Sequence, residues 1–264
     1  MSASLRTPQL RLFPLKDEFK SVYSTAQTVS RAFSQDPLIR WLRPNGSPWS
    51  EPSAEVSKWQ CRRIQRAVVD GSVFRAEPVS RIERTFPRRG AISSSPSSST
   101  SMEKVKEIKA EIKEEEGRQS ADDSGAVVIL FPPRSQKKWS LQRILLACKL
   151  WFLDLLDGVQ DGGAKESRLD KLMEAHDASL SRLGNQVNLW YLEVIAVHPD
   201  LQSRGLGGMV MRWILDHVGE QPVCLECTRE ENVGFYEKFG FHVVEKVVLE
   251  DGEDKVVYWM MLKE

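Results

Sequence analysis

Apolar positions recur along this chain at two spacings, and the changes of spacing divide it into elements. "LRLFPL", Leu10 to Leu15, reads as a first strand, after which Phe19, Val22, Tyr23, Ala26 and Val29 fall at helical steps of three and four. Asp36-Pro37 opens a short second helix that Pro44 closes, because proline is tolerated in a first helical turn but not in an interior one. Residues 54–70 predict a third helix, ended by Gly71. "GAVVILFPP" is an apolar strand that stops at two prolines. Beyond it, Leu141, Ile144, Leu145, Cys148, Trp151, Phe152 and Leu155 predict one helix, and Leu169, Leu172, Met173, His176, Leu180 and Leu183 a second, with Gly184 suited to its end.

The last eighty residues are the most regular. Val187 to Val197 is apolar on both faces, as in a strand covered on both sides. Leu206, Met209, Val210, Trp213, Ile214, His217 and Val218 then share one helical face. "PVCLEC" is the next strand. Thr228 and Glu231 have capping-box spacing before a helix that Gly240 ends. "FHVVEKVVL" and "KVVYWMML" flank Asp251-Gly252 as a final hairpin. The order is strand, helix, strand, helix, strand, strand.

Composition adds little against this pattern. The 264 residues are 41% hydrophobic and 28% charged, ordinary for a globular protein. Residues 90–124 break the pattern: a serine-rich run, "ISSSPSSSTS", precedes a charged stretch whose apolar spine is only Val105, Ile108 and Ile112. This segment is expected to be a disordered insertion within one domain spanning 1–264. Residues 1–90 hold 16 Lys and Arg against 8 Asp and Glu, and the remainder 21 against 29. No nucleic-acid motif accompanies the basic half, so no nucleic-acid partner is expected. The most apolar stretch, Arg143 to Asp157, is too short to span a bilayer and is interrupted by Lys149 and Asp154. No signal-like run opens the sequence, and a cytoplasmic location, with the nucleus also compatible, is expected. Cys224 and Cys227 spell C-x-x-C within a strand, where residues three apart point to opposite faces, so no metal site is expected there.

Chemistry concentrates in "VHPDLQSRGLGG", Val197 to Gly208. A helix beginning near Gly205 leaves its first N–H groups without internal partners, and those donors with the helix dipole favour an anion. Gly205, Gly207 and Gly208 give phosphate oxygens access to the backbone, and Arg204 offers a charge-assisted contact. The alternative is a tight turn whose glycines serve only conformation or helix packing. Neither a P-loop nor the dinucleotide G-x-G-x-x-G is present.

Two segments together resemble a known family. Val197, Pro199, Gln202, Gly205 and Gly207 match the acetyl-CoA-binding signature of the GNAT superfamily of N-acetyltransferases. Asn232, Tyr236, Gly240 and Phe241 match its later motif, in the family's order. The match is clearest over 187–245. "AFSQDPLIRWLRP" and "GAVVILFPP" resemble fungal members more loosely. The resemblance implies a mixed α/β fold, with a central, mostly antiparallel sheet flanked by helices and one parallel strand pair splayed apart. It implies acetyl-CoA as co-substrate, without a metal, and direct transfer in a ternary complex to a primary amine, expected to be a small molecule. Gln202 and the backbone of Ser203, Arg204, Gly205, Leu206, Gly207 and Gly208 would then hold the pyrophosphate. The edges of Ile195, Ala196 and Val197 would pair with the pantetheine amides, and Asn232 would contact the same arm. Tyr236 would lie near the sulfur, as general acid to the leaving thiolate, although it also suits packing of its helix.

An attacking ammonium must first lose a proton. Glu193, a lone carboxylate in an apolar strand, is the first candidate base, since burial would raise its pKa; a bulge or a structural ion pair is the competing reading. His198 is the second. His176, His217 and His242 read as packing residues. The acceptor region is expected over Phe33 to Trp41 with Trp59, where Asp36 and Glu51 are candidate amine holders or solvated loop residues. A non-catalytic acyl-CoA-binding module is the alternative to an enzyme. The oligomeric state is not legible.

Overall fold

A computed structural model describes residues 10–44, 54–86, 122–136, 140–157, 164–183 and 188–264. Seven strands form one sheet: β1 (Leu12–Pro14), β2 (Ser72–Ala76), β3 (Ala126–Phe131), β4 (Trp190–Val197), β5 (Val223–Cys227), β6 (His242–Asp251) and β7 (Asp254–Lys263). Their spatial order is β1-β2-β3-β4-β5-β7-β6. Every neighbouring pair is antiparallel except β4–β5. The expected mixed fold with one parallel pair is the fold observed.

Helices cover both faces. They are α1 (Phe19–Ala32), α2 (Pro37–Leu42), α3 (Ala54–Asp70), α4 (Val79–Thr85), α5 (Leu141–Asp157), α6 (Glu166–Arg182), α7 (Leu206–Val218) and α8 (Glu230–Glu237). Alternation along β3 serves two cores at once. Ala126, Val128 and Leu130 pack with α4 and α7, whereas Val127 and Ile129 pack with Val22, Ala26 and Val29 of α1 and Ile64 of α3. A third cluster joins α2 and α6 to β6 and β7 through Leu38, Trp41, Leu172, Leu249 and Tyr258.

Helix α6 is fastened to the last hairpin by charge. The Arg168 side chain, only 5% exposed, donates to Asp251 at 2.8 Å, to Asp254 at 2.6 Å and to the Trp41 carbonyl at 2.5 Å. Lys165 and Lys171 also reach Asp251, and these cations hold its carboxyl well below the usual carboxylate range.

Several sequence expectations change. The apolar stripe of α5 faces outward, and Leu146 and Leu150 from its other face dock on Val69 instead. Phe19 and Tyr23 are exposed, and α1 buries Ser21, Ser24, Thr25 and Thr28 beside its aliphatic residues. Strand β2 and helix α4 carry too short a pattern to be read. Of the insertion expected over 90–124, residues 90–121 lie outside the described residues, as do Glu51 and Gly184. Residues 122–124 belong to the fold: Asp123 and Ser124 are buried, and Thr28 donates to the Ser124 carbonyl at 2.5 Å.

Candidate active site

The glycine stretch links β4 to α7 through a single 3-10 turn, Pro199–Leu201. Gly205 stands at the N-cap of α7 with φ +80°, and Ser203 has φ 61°. That left-handed backbone is the reason for glycine at 205. No side chain caps α7. Met209 N–H bonds to the Gly205 carbonyl, but the N–H groups of Ser203 to Gly208 find no backbone acceptor among the described residues. A side chain added at Gly205 would meet nothing within 4 Å, and one at Gly207 would first meet Phe235 at 3.8 Å. The helix start is therefore an open, donor-rich cradle, suited to an anion by both its N–H groups and the helix dipole.

Two flanking side chains differ from expectation. Arg204 does not reach toward the cradle. Its guanidinium donates to the Phe86 carbonyl at 2.8 Å, to Glu83 at 3.0 Å and to the Asp200 carbonyl at 2.6 Å, tying the loop to α4. Gln202 donates to the Val197 carbonyl at 3.0 Å and closes the end of β4.

Beside the cradle the sheet opens. Parallel pairing of β4 with β5 runs from Trp190↔Val223 to Leu192↔Leu225 and goes no further. Beyond it, Val194 to Val197 pair only with β3, and Glu226 and Cys227 only with β7. One backbone edge of Ile195, Ala196 and Val197 thus faces a gap between splayed strands. Glu193 marks where the splay begins. Val194 pairs with Ile129 and Leu192 with Leu130, so Glu193 is an extra residue, a β-bulge. The bulge also reverses the faces of β4: Leu192 belongs to the α7 side, and Val194 and Ala196 to the α1–α3 side.

On the α7–α8 side of the gap stands Tyr236. Its ring meets Phe235 and Phe241 edge-on at 5.2 and 6.0 Å. Burial pushes the phenol well up, and the charges of Cys227 and Asp36 push it further, so it keeps its proton. Its hydroxyl has no hydrogen bond among the described residues. Asn232 is exposed on the first turn of α8. The capping box expected from Thr228 and Glu231 does not form. Arg229 is the N-cap, and Thr228 instead donates to Asp36 at 2.5 Å. Asp36, 4% exposed, also caps α2 by accepting from Ile39 N–H at 3.1 Å. Arg229 donates to the Gln35 carbonyl, so the loop expected to meet the acceptor is pinned to the segment entering α8. Burial raises the pKa of Asp36, opposed by those hydrogen bonds and by Arg229.

The opposite side is assembled from charged pairs. Glu193 is not the lone buried carboxylate that its strand suggests: Arg63 of α3 donates to it at 2.5 Å, and its side chain is 22% exposed. Nearby, Tyr191 and His176 both bond to Glu226, at 3.1 and 2.8 Å. His176, read from sequence as packing, has its pKa raised chiefly by that bond, with the charges of Glu226, Asp177 and Glu193 adding and burial opposing. Among the described residues no hydrogen bond or ion pair joins Glu193 to Tyr236: Arg63 of α3 holds the first, and the second packs against the core on the α7 face of the sheet.

His198 faces inward. It is 1% exposed, its Nε2 lies 3.5 Å from Asp123, and its Nδ1 accepts from Asp200 N–H at 3.3 Å. Cys224 packs with Met260 and Leu262, and Cys227 in the core beneath α7, on opposite faces of β5 as expected. A cleft of about 390 Å³ lies elsewhere, lined by Phe19, Tyr23, Cys61, Gln65 and neighbours on α1 and α3, and touches none of the residues around the gap.

Residues 172–243 match the model of the acetyltransferase (GNAT) domain family. No curated protein sequence matches the chain. Among solved structures, the fold is similar to a histone acetyltransferase HPA2 and related acetyltransferase from Corynebacterium glutamicum (TM-score 0.53, 13% identity, 97% of this chain and 96% of that one). It is also similar to arylalkylamine N-acetyltransferase 2 from Aedes aegypti (TM-score 0.51, 10% identity, 97% and 99%). The family match lies on the cradle and the gap, and the fold surrounding them is the one those acetyltransferases share. The chain thus carries a match to the GNAT acetyltransferase domain over residues 172–243, within a fold similar to that of solved acetyltransferases.

Proposed function

We propose that this acetyltransferase moves an acetyl group from acetyl-CoA to the primary amine of a small molecule, directly, within a ternary complex. One observation carries the reading: strand pairing ends at Leu192↔Leu225, beside a helix start whose N–H groups are open. In this reading the backbone from Ser203 to Gly208 holds the pyrophosphate, and Arg204 and Gln202 shape the loop rather than touch the anion. The free edge of Ile195 to Val197 pairs with the pantetheine amides, and Asn232 contacts that arm. The thioester then sits in the gap, with the amine entering from the face that carries Glu193.

The amine nitrogen forms a bond to the thioester carbon, and the carbon–sulfur bond breaks from the tetrahedral intermediate. A backbone N–H of Ile195 or Val197 is placed to stabilise the oxyanion. Glu193 receives the ammonium proton, and Arg63 must yield part of its contact for this to happen. Tyr236, which burial keeps protonated, gives its proton to the departing thiolate as the negative charge develops on sulfur. The pairing of Glu193 with Arg63 also suits a module that binds acyl-CoA without turnover.

A thiol-release screen with acetyl-CoA over polyamines, arylalkylamines, amino acids and aminoglycosides separates the two readings. The enzyme reading expects turnover with at least one amine. CoA binding without thiol release across the panel would favour the binding module.

A further inference from the structure

Helix α5 has an apolar face and shows it to solvent. Leu141, Ile144, Leu145, Trp151, Phe152, Leu155 and Leu156 are each between 46% and 72% exposed. The helix is not loosely docked. Leu146 and Leu150 bury against Val69, Arg143 donates to the Gly71 carbonyl at 2.7 Å, Lys149 to Asp17 at 3.1 Å, and Asp154 accepts from Arg66 at 2.7 Å. Arg143, Lys149 and Asp154 thus hold the helix to the body of the protein, and among the described residues the outward stripe itself is apolar.

The stripe has an internal symmetry. Counted from Cys148, which is exposed, apolar residues stand at three, four and seven positions on both sides: Leu145 and Trp151, Ile144 and Phe152, Leu141 and Leu155. Steps of three, four and seven are those of a helix-packing seam. A seam that reads alike in both directions is self-complementary in an antiparallel pair, the arrangement a two-fold axis imposes.

We propose that α5 is the dimer interface of this protein, two copies of the helix packing antiparallel about a two-fold axis that passes beside Cys148. Leu145 then meets Trp151 of the second copy, Ile144 meets Phe152, Leu141 meets Leu155, and the two Cys148 thiols face each other. The area is sufficient. Aromatic side chains offer about 150–250 Å² each, and at the observed exposures the stripe amounts to roughly 800 Å² per copy, what each partner of a standard-size interface contributes. An exposed patch of that size on a monomer is unusual. A membrane surface fits less well: interfacial helices carry a basic polar face, whereas residues 141–157 balance Arg143 and Lys149 with Asp154 and Asp157. The proposal is independent of the acetyl-transfer site.

The test uses the full chain. Sedimentation equilibrium at micromolar concentration should give twice the monomer mass. A short bismaleimide should cross-link two copies, and Cys148→Ser should abolish the cross-link while leaving the dimer. Leu145→Glu with Trp151→Glu should give a monomer with unchanged circular dichroism, melting temperature and CoA affinity. A wild-type monomer, a dimer that survives the double substitution, or a cross-link that survives Cys148→Ser would each overturn the proposal. So would a monomer recovered with vesicles of phosphatidylcholine and phosphatidylserine, which would assign the stripe to a lipid surface.

Discussion

The two sides of the β4–β5 gap are built by different means. Toward α7 the work is done by backbone: open N–H groups from Ser203 to Gly208, a left-handed Gly205 and a strand edge at Ile195 to Val197 that β5 leaves unpaired. Toward α3 and α6 it is done by side chains already paired with one another, Glu193 with Arg63 and Glu226 with His176 and Tyr191. A backbone cradle is ready for any ligand with the right phosphate geometry. A set of paired side chains must exchange partners to receive one, which is the demand that the proposed acceptor would place on this side.

The sharpest break of this contrast is chemical. Tyr236→Phe keeps the ring contacts with Phe235 and Phe241 and removes only the hydroxyl. If Tyr236 is the proton donor, kcat should fall by about 10²–10⁴-fold while affinity for acetyl-CoA stays as it was. Glu193→Gln should lower kcat on the same scale. An unchanged kcat in either variant, measured with an amine from the screen, would remove that residue from the mechanism.

The next effect belongs to the cradle. A methyl group added at Gly207 meets no protein atom closer than 3.8 Å, so Gly207→Ala should leave the melting temperature unchanged or slightly raised. With pyrophosphate bound at that helix start, the same methyl obstructs the ligand. Affinity for CoA should fall by about tenfold or more, equivalent to roughly 1.4 kcal/mol. Isothermal titration and a thermal melt on the same variant separate the two effects. Loss of stability with unchanged affinity would reverse the assignment.

The contrast also explains what could be read in the sequence. A left-handed helix start forces a glycine, and a strand that is buried on both faces forces an apolar run, so the cradle and β4 left a local signature between 187 and 208. The other side draws on positions 63, 176, 191, 193 and 226, which share no spacing. Arg63 looked like one of many charges on α3, and only the fold places it on Glu193. The bulge at Glu193 is likewise a matter of pairing between strands, invisible along one of them. Periodicity located α5 correctly but not the direction of its stripe, because amphipathic spacing reports two faces and not which of them meets the core.

A smaller effect tests the pinned loop around Asp36. Asp36 has a folded pKa above its ordinary value because burial disfavours its charge. A raised pKa contributes stability that is complete below about pH 3.8 and lost as pH rises through the folded value. Asn at 36 never ionises and still accepts from Ile39 N–H. The stability of Asp36→Asn relative to wild type should therefore improve between about pH 4 and pH 7, by urea unfolding. A difference that does not change with pH would mean that Thr228 and Arg229 offset the burial completely.

The smallest expected effect lies on the paired side, at His176. Its hydrogen bond to Glu226 raises the imidazole pKa above 6.5, and the neighbouring charges of Asp177 and Glu193 act in the same direction. The folded state therefore favours the protonated ring. Its contribution is fully present below about pH 6.5 and is lost as pH rises through the folded value. Gln at 176 keeps a donor for Glu226 but no titrating proton. Wild type should exceed His176→Gln in stability most at about pH 6, and the two should converge toward pH 9, again by urea unfolding. The same titration bears on catalysis: a protonated His176 neutralises Glu226, whereas its loss leaves two carboxylates, Glu226 and Glu193, facing an incoming ammonium. KM for the amine should then fall as pH rises through that range in wild type and stay flat in His176→Gln, once corrected for the amine's own ionisation. A parallel pH dependence of KM in both proteins would leave His176 a structural partner of Glu226, and acceptor binding would rest on Glu193 and Asp36.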